Sequence, residues 1–258
     1  MKKKILTCIM AGLLVLTNVP VLHAEDKQFV VCIDPGHQAK GDPKGEPIAP
    51  GSGSRKARVA SGTAGVGTKK PEYAVNMEAG LILKGLLTKA GYKVVMTRET
   101  NDVNVSNAER AQIANEAKAD MTIRLHCDSI DNGGKNGAVL VIPSKTGKHT
   151  AGIYPESFKY ANYLKKELQS QGVKVNGIFE RSDMTGFNWS EVPVVIFEMG
   201  FMSNWQEDRM LCDKNYQIKL MNAVVKSIDA YKNEKLAASA SPAPSGSMVP
   251  TTSPSPAA

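Results

Sequence analysis

The stretch Gln28-Phe-Val-Val-Cys-Ile-Asp-Pro-Gly-His37 decides the fold. Its first seven residues form a short, β-favouring and mostly apolar run, which is typical of a strand buried on both faces of a sheet. Pro35-Gly36 ends the run sharply. His37 is therefore expected just past the carboxyl end of a strand, at the edge where open α/β sheets bind ligands.

Strands and helices are predicted to alternate along most of the chain after this first strand. This alternation predicts a single α/β domain with a mainly parallel sheet. The predicted strands cover 92–97, 121–125, 137–142 and 192–197, and the predicted helices cover 71–90, 105–118, 156–171, 206–211 and 215–232.

The 258 residues divide into three predicted segments. Residues 1–24 combine three lysines, an apolar run and the small residue Ala24, as in a secretory signal peptide, with an uncleaved membrane anchor as the alternative. Residues 25–234 are predicted to fold. Residues 235–258 contain almost only Ala, Ser, Pro, Thr and Gly, so they are expected to be disordered.

Composition and charge argue against a nucleic-acid-binding protein. Removal of residues 1–24 takes away three lysines and no acidic residue, which lowers the formal charge from +7 to +4. This mild excess suits attraction to an anionic surface such as a bacterial cell wall. Three cysteines then remain, Cys32, Cys127 and Cys212, and an odd number argues against a disulfide framework. We expect them to be small buried hydrophobic residues, with a catalytic thiol at Cys127 as the alternative.

Residues 38–70 form a long polar stretch that is rich in Gly, Lys, Pro and Ser. Long segments without secondary structure are uncommon and are usually functional or mobile. The glycines have neither P-loop nor dinucleotide-binding spacing. A flexible surface loop is therefore expected here.

Polar groups with metal-binding chemistry are predicted at one edge of the sheet. His37, His126 and Glu198 each follow closely on a predicted strand, and Glu72 opens the helix that follows the first one. Zn²⁺ accepts imidazole nitrogen and carboxylate oxygen and keeps one position open in catalytic sites. Glu78 lies in the same helix, and the spacing alone does not choose between it and Glu72.

Glu198 is the candidate general base. It lies in the apolar run Val194-Val-Ile-Phe-Glu-Met-Gly-Phe201, and such surroundings are expected to raise the pKa of its carboxyl group. A carboxylate in a partly dry site can move a proton between water and a leaving amine. The alternative is a buried salt bridge.

Six stretches in order along residues 28–232 resemble the zinc-dependent N-acetylmuramoyl-L-alanine amidases of the Amidase_3 type. They are Val31-Cys-Ile-Asp-Pro-Gly-His37, Glu72-Tyr-Ala-Val-Asn76, Val95-Met-Thr-Arg98, Ala108-Glu-Arg-Ala-Gln-Ile-Ala-Asn115, 119–128 around His126, and Phe197-Glu-Met-Gly-Phe-Met-Ser-Asn204. The resemblance implies a twisted, mainly parallel sheet with helices on both faces, and it makes residues 25–234 the catalytic domain.

The resemblance also implies residue roles and a reaction. His37, Glu72 and His126 would bind Zn²⁺, which selects Glu72 over Glu78, and Glu198 would be the catalytic base. The implied substrate is bacterial peptidoglycan, cut at the amide between N-acetylmuramic acid and L-alanine. The alternatives are a zinc peptidase of the stem peptide and a non-hydrolytic wall-binding module.

The implied setting is the cell wall, outside the cell. No nucleic acid is expected as a partner, and no membrane after signal cleavage. No wall-binding repeat is recognised, which predicts an activator or wall-binding partner protein or a confined site of action, with spore cortex as a candidate substrate. The family usually has small residues around its third ligand, so Arg124 and Cys127 depart from its pattern, as does the length of 38–70.

Overall fold

The computed structural model describes residues 28–240 and confirms a single α/β domain with a mainly parallel sheet. The strands are β1 (Val30–Pro35), β2 (Asp42–Pro47), β3 (Arg55–Val59), β4 (Lys93–Met96), β5 (Met121–Asp128), β6 (Ala138–Pro143), β7 (Val175–Arg181) and β8 (Val194–Phe201). The helices are α1 (Glu72–Lys89), α2 (Asn107–Glu116), α3 (Tyr154–Ser170), α4 (Thr185–Asn188), α5 (Trp205–Cys212) and α6 (Lys214–Ala240).

Six strands form the main sheet in the order β4-β1-β5-β8-β6-β7. All neighbouring strands are parallel except β6 and β8, which are antiparallel. The strands β1, β5 and β8 therefore lie side by side and point the same way. Their carboxyl ends share one edge of the sheet, as the sequence predicts.

Strand β1 is buried along its whole length because both faces of the sheet are covered. Its side chains alternate between the faces, as strand geometry requires. Val31 and Ile33 join the large core that includes residues of α1, α3 and α6. Val30 and Cys32 join a smaller core with Ala114 of α2. The predicted layers of helices on both faces are thus confirmed.

The helix limits follow local signals that the sequence already contains. The Ser106 hydroxyl accepts from the Glu109 backbone N–H at 3.2 Å, and the Glu109 carboxylate accepts from the Ser106 N–H at 2.7 Å. This reciprocal cap starts α2 where the sequence predicts. Gly91, with φ of 85°, follows the end of α1 in the left-handed region that favours glycine.

The prediction of a flexible surface loop over 38–70 is wrong for 42–47 and 55–59, which are strands. This segment contains the antiparallel strands β2 and β3. Distant side chains hold the connection between them: Trp189 Nε1 donates to the Pro47 carbonyl at 2.9 Å, and Asn188 Nδ2 donates to the Ile48 carbonyl at 3.1 Å. The hairpin has little apolar alternation, so its sequence carries no clear strand signal.

Other boundaries also differ from the prediction. Strands β5 and β8 run through His126 and Glu198 instead of ending before them. Strand β7 and the short helix α4 are not predicted. Helix α6 reaches Ala240, so a disordered tail from residue 235 is wrong for its first six residues.

The predicted signal peptide and the rest of the tail lie outside the described residues. Within residues 28–240, no helix combines the length and the apolar character that crossing a membrane requires.

Candidate metal centre

Two histidines and two glutamates meet at the shared edge of β1, β5 and β8. His37 follows β1, and Glu72 is the first residue of α1. His126 and Glu198 are direct Cα partners across β5 and β8. Parallel register therefore places the two side chains beside each other on one face of the sheet.

The turn Gly36-His37 gives the first histidine its orientation. A Cβ atom at Gly36 would lie 2.1 Å from the His126 ring, so only glycine fits there. His37 has φ of 59°, which is uncommon for a residue other than glycine and occurs often at functional sites. Its Nδ1 lies 2.8 Å from the Ala60 carbonyl. Because a carbonyl only accepts, Nδ1 is the donor in this contact, and Nε2 faces Glu72.

Glu72 is the centre of the cluster, and its side chain is almost fully buried. One oxygen, Oε2, lies 3.2 Å from His37 Nε2 and accepts the Thr63 N–H at 3.1 Å. The other, Oε1, lies 3.2 Å from His126 Nδ1 and accepts the Cys127 N–H at 3.1 Å. Both oxygens are therefore held in place by backbone groups while they face imidazole nitrogens.

Glu78, the other candidate ligand in the same helix, lies outside the cluster of His37, Glu72 and His126. It is exposed and pairs with Lys70 at 2.6 Å, and it also accepts from Gln217. The geometry therefore favours Glu72 over Glu78 as a ligand.

The electrostatics of the cluster suit a cation. Burial alone would raise the pKa of Glu72, but hydrogen bonds with His126 and His37 hold it well below its usual range. Burial lowers the pKa of His126 to about 4, so its ring is neutral at pH 7 and can offer a lone pair. One ligand atom from each of His37, Glu72 and His126 lies within 4.8 Å of the others. This donor set fits a divalent metal ion such as zinc.

Glu198 faces the same centre without a cationic partner. No ion pair within residues 28–240 involves its carboxylate. Burial raises the pKa of Glu198 well above its usual range, and the nearby charges of Glu72 and Asp128 raise it further. The arrangement argues against the buried salt bridge and leaves a carboxyl group that binds a proton more readily than an exposed glutamate does.

Two depressions meet at the centre and share His37, Ala60, His126 and Glu198. One is an open groove. The other, which we term the inner pocket, has a volume of about 310 Å³. Besides the shared residues, the lining of the inner pocket includes Lys56, Asn107, Arg124, Asp183, Met184 and Thr185.

Arg124, which departs from the family pattern, belongs to a buried ion cluster beside the pocket. The Asp34 carboxylate accepts from Arg124 Nε at 2.6 Å, from Arg110 Nη1 at 2.7 Å and from the Thr97 hydroxyl at 2.5 Å. Burial alone would raise the pKa of Asp34, but the two guanidinium groups hold it well below its usual range. The sequence pattern does not reveal this cluster, although Asp34 stands in the motif that ends at His37.

The cysteines fit the predicted structural role better than a catalytic one. Cys32 and Cys127 are buried, whereas Cys212 is only partly buried. Burial raises the pKa of the Cys127 thiol well above its usual value, so it is protonated and a poor nucleophile at neutral pH.

Three polar or aromatic residues between α3 and β8 have structural partners. Asn188 and Trp189 hold the β2–β3 connection, and Arg181 pairs with Asp183 at 2.8 Å.

The site combines three candidate ligands for a divalent metal ion with a buried carboxyl group beside them, which is a combination that suits metal-dependent hydrolysis. A more specific assignment comes from comparison with known proteins. The chain belongs to the Amidase_3 family, N-acetylmuramoyl-L-alanine amidase, whose model matches residues 31–230. The family resemblance recognised in the sequence is thereby confirmed.

Individual relatives agree with the family assignment. The chain is 27% identical over 234 residues to an N-acetylmuramoyl-L-alanine amidase of Mycobacterium tuberculosis, covering 85% of this chain and 95% of the relative. It is 26% identical over 226 residues to the germination-specific N-acetylmuramoyl-L-alanine amidase of Bacillus subtilis, covering 80% and 81%. The crystal structure of an N-acetylmuramyl-L-alanine amidase from Mycobacterium abscessus, in the apo form, matches with 28% identity and a TM-score of 0.72, covering 79% of this chain and 98% of that one.

Proposed function

We propose that this protein hydrolyses the amide between N-acetylmuramic acid and L-alanine in peptidoglycan, with a zinc ion held by His37, Glu72 and His126. The observation that carries the proposal is the convergence of two imidazole nitrogens on one buried carboxylate, each at 3.2 Å. The family match supports the bond that is cut.

The donor set supports zinc as the metal. Two neutral imidazoles and one carboxylate are common zinc ligands, and three protein ligands leave a position for water or substrate. When bound, zinc polarises a carbonyl group and makes a water molecule acidic near neutral pH. The chain's part is to hold the ligands rigid, through Ala60 for His37 and through backbone N–H groups for Glu72.

Glu198 would manage the proton. Its carboxylate takes a proton from the attacking water and passes it to the nitrogen of the departing L-alanine. The raised pKa of Glu198 supports this role, because its carboxyl group binds a proton more readily than an exposed glutamate does. The scissile carbonyl must then lie between Glu198 and the three ligands, where the inner pocket and the open groove meet.

Digestion of purified peptidoglycan, with and without a chelator, tests the proposal. The expected products are new L-alanine amino termini and glycan chains without peptide, identified by mass spectrometry. Chelation should stop the reaction and added zinc should restore it. Cleavage between amino acids would instead indicate the stem peptidase, and no cleavage of any wall material with zinc present would indicate the binding module.

We also propose that the protein acts outside the cell, after export by the segment 1–24. Amino-terminal sequencing of the protein recovered from the culture medium or the wall should begin at Glu25. A mature protein that still begins at residue 1 or 2 would contradict cleavage.

The germination-specific relative favours spore cortex as a substrate. The rate of L-alanine release from cortex peptidoglycan, compared with vegetative peptidoglycan, tests this choice. A clear preference for vegetative material would contradict it.

An activator or wall-binding partner protein stays part of the proposal, and its addition should raise the rate on intact walls.

A further inference from the structure

We infer that Arg124 forms a carboxylate-binding subsite in the inner pocket, which holds a free carboxylate of the stem peptide next to the bond that is cut. This inference rests on the proposed function. It names a specificity-determining residue at the position where the chain departs from its family.

The first observation is the position of Arg124. It precedes His126 by two residues in β5, so both side chains lie on the same face of the sheet. Two residues along a strand correspond to about 6 to 7 Å. Arg124 and His126 both line the inner pocket. Any ligand that enters the pocket towards the metal centre therefore passes Arg124.

The second observation is that the guanidinium is only partly used, although Arg124 is 6% exposed. Its Nε donates to Asp34 and its Nη2 donates to Asn107 Oδ1 at 3.1 Å. Among the described residues, Nη1 has no hydrogen-bond partner at all. A Cβ atom at Gly186 would lie 2.3 Å from Nη1, so the absence of a side chain at Gly186 makes room for the guanidinium at the pocket wall.

The third observation is the charge balance. Asp34 is the single carboxylate shared by Arg110 and Arg124, so the cluster keeps one net positive charge. Arg110 spends its other donors on backbone carbonyls and Gln38. No ion pair joins Arg124 to Glu198 across the pocket within residues 28–240. Two buried cations that share one carboxylate are only partly neutralised, and a ligand carboxylate would balance the remaining positive charge.

The stem peptide carries a suitable group. When its second residue is a glutamate linked through the side chain, the main-chain carboxyl group stays free. Consecutive Cα atoms in a peptide are 3.8 Å apart, so this carboxylate lies within reach of Arg124 when the first residue is at the metal centre. The unpartnered Nη1 can donate a charge-assisted hydrogen bond to this carboxylate.

Two peptidoglycan preparations that differ only at this carboxyl group, free or amidated, test the inference. The measured quantity is the initial rate at which L-alanine amino termini appear. Wild-type protein should cut the free-carboxyl form roughly tenfold faster, as expected for a charge-assisted hydrogen bond. Equal rates on the two substrates would overturn the subsite and leave the proposed function intact. No cleavage of either would overturn both.

Variants then assign the preference to Arg124. R124M should bring the ratio of the two rates close to one, and R124K should keep part of the preference because it keeps the charge. K84M removes a lysine that pairs with Glu99 on the surface of α1, and it should keep the wild-type ratio. A purely structural role of Arg124 would lower both rates and leave the ratio unchanged, which would also overturn the subsite.

Discussion

Asp34 and Glu72 are both buried carboxylates, and each contacts two basic side chains. Asp34 contacts the guanidinium groups of Arg110 and Arg124 at 2.7 and 2.6 Å. Glu72 contacts two imidazoles at 3.2 Å. A guanidinium stays protonated and has no lone pair to offer, whereas a neutral imidazole does. The Asp34 cluster is therefore a permanent ion cluster, while the Glu72 cluster can hold a metal ion.

Glu198 adds a third case to this comparison. It has neither guanidinium nor imidazole within ion-pair distance among the described residues, and its pKa is raised instead of lowered. The neighbours of these three carboxylates thus suit them to three different roles. Asp34 forms a buried ion cluster, Glu72 is our proposed metal ligand, and Glu198 is our proposed proton carrier.

The largest expected effect follows removal of the central ligand. E72A should abolish peptidoglycan hydrolysis, because both imidazoles lose the carboxylate that completes the donor set. The release of L-alanine amino termini is the measurement. E78A is the matched control in the same helix and should keep full activity. Substantial hydrolysis by E72A would show that the Glu72 cluster is not needed for the reaction. It would contradict the contrast drawn between the Glu72 and Asp34 clusters.

The next effect concerns the proton carrier. E198Q keeps the shape of the side chain but cannot accept a proton, so kcat should fall by about 10²- to 10⁴-fold. The zinc content, measured by elemental analysis, should match that of the wild type. A near wild-type kcat would show that another group moves the proton.

Asp34 should matter for stability more than for chemistry. D34N leaves the buried Arg110 and Arg124 without a counter-charge, which should cost about 3 to 5 kcal/mol in the free energy of unfolding. Urea denaturation gives this number. The exposed Lys56–Asp183 pair is the control, since D183N should cost about 1 kcal/mol or less. Equal losses of unfolding free energy for D34N and D183N would contradict the claim that the buried Asp34 cluster stabilises the fold.

The smallest expected effect is the pH dependence of the difference in unfolding free energy between the wild type and D34N. The pKa of Asp34 lies well below its usual range in the folded protein, whereas in the unfolded chain it is about 3.9. Ionised Asp34 therefore stabilises the fold above that value, and the contribution is lost as the pH falls through the folded pKa. The stability gap between wild type and D34N should be constant above about pH 5 and shrink below about pH 4. A gap that stays constant to pH 2.5 would argue against an ionised Asp34.

The sequence predicts the meeting of His37, His126 and Glu198 because parallel strands share their carboxyl ends. Spacing alone does not separate Glu72 from Glu78, since the choice depends on where α1 lies relative to β1 and β5. The Asp34–Arg124 pair and the hairpin β2–β3 also depend on contacts between distant segments, so local patterns do not reveal them. Local patterns also do not reveal that β6 runs antiparallel to β8, because this direction depends on contacts between distant segments.

The binding of zinc to the metal-free protein tests the central claim most directly. Calorimetric titration should show one zinc ion per chain for the wild type, E198Q and E78A, and no specific binding for E72A or H126A. Circular dichroism should show that the two non-binding variants remain folded. A wild-type protein that binds no zinc, or an E72A variant that binds zinc as the wild type does, would contradict the assignment of Glu72 and the two histidines as the metal site.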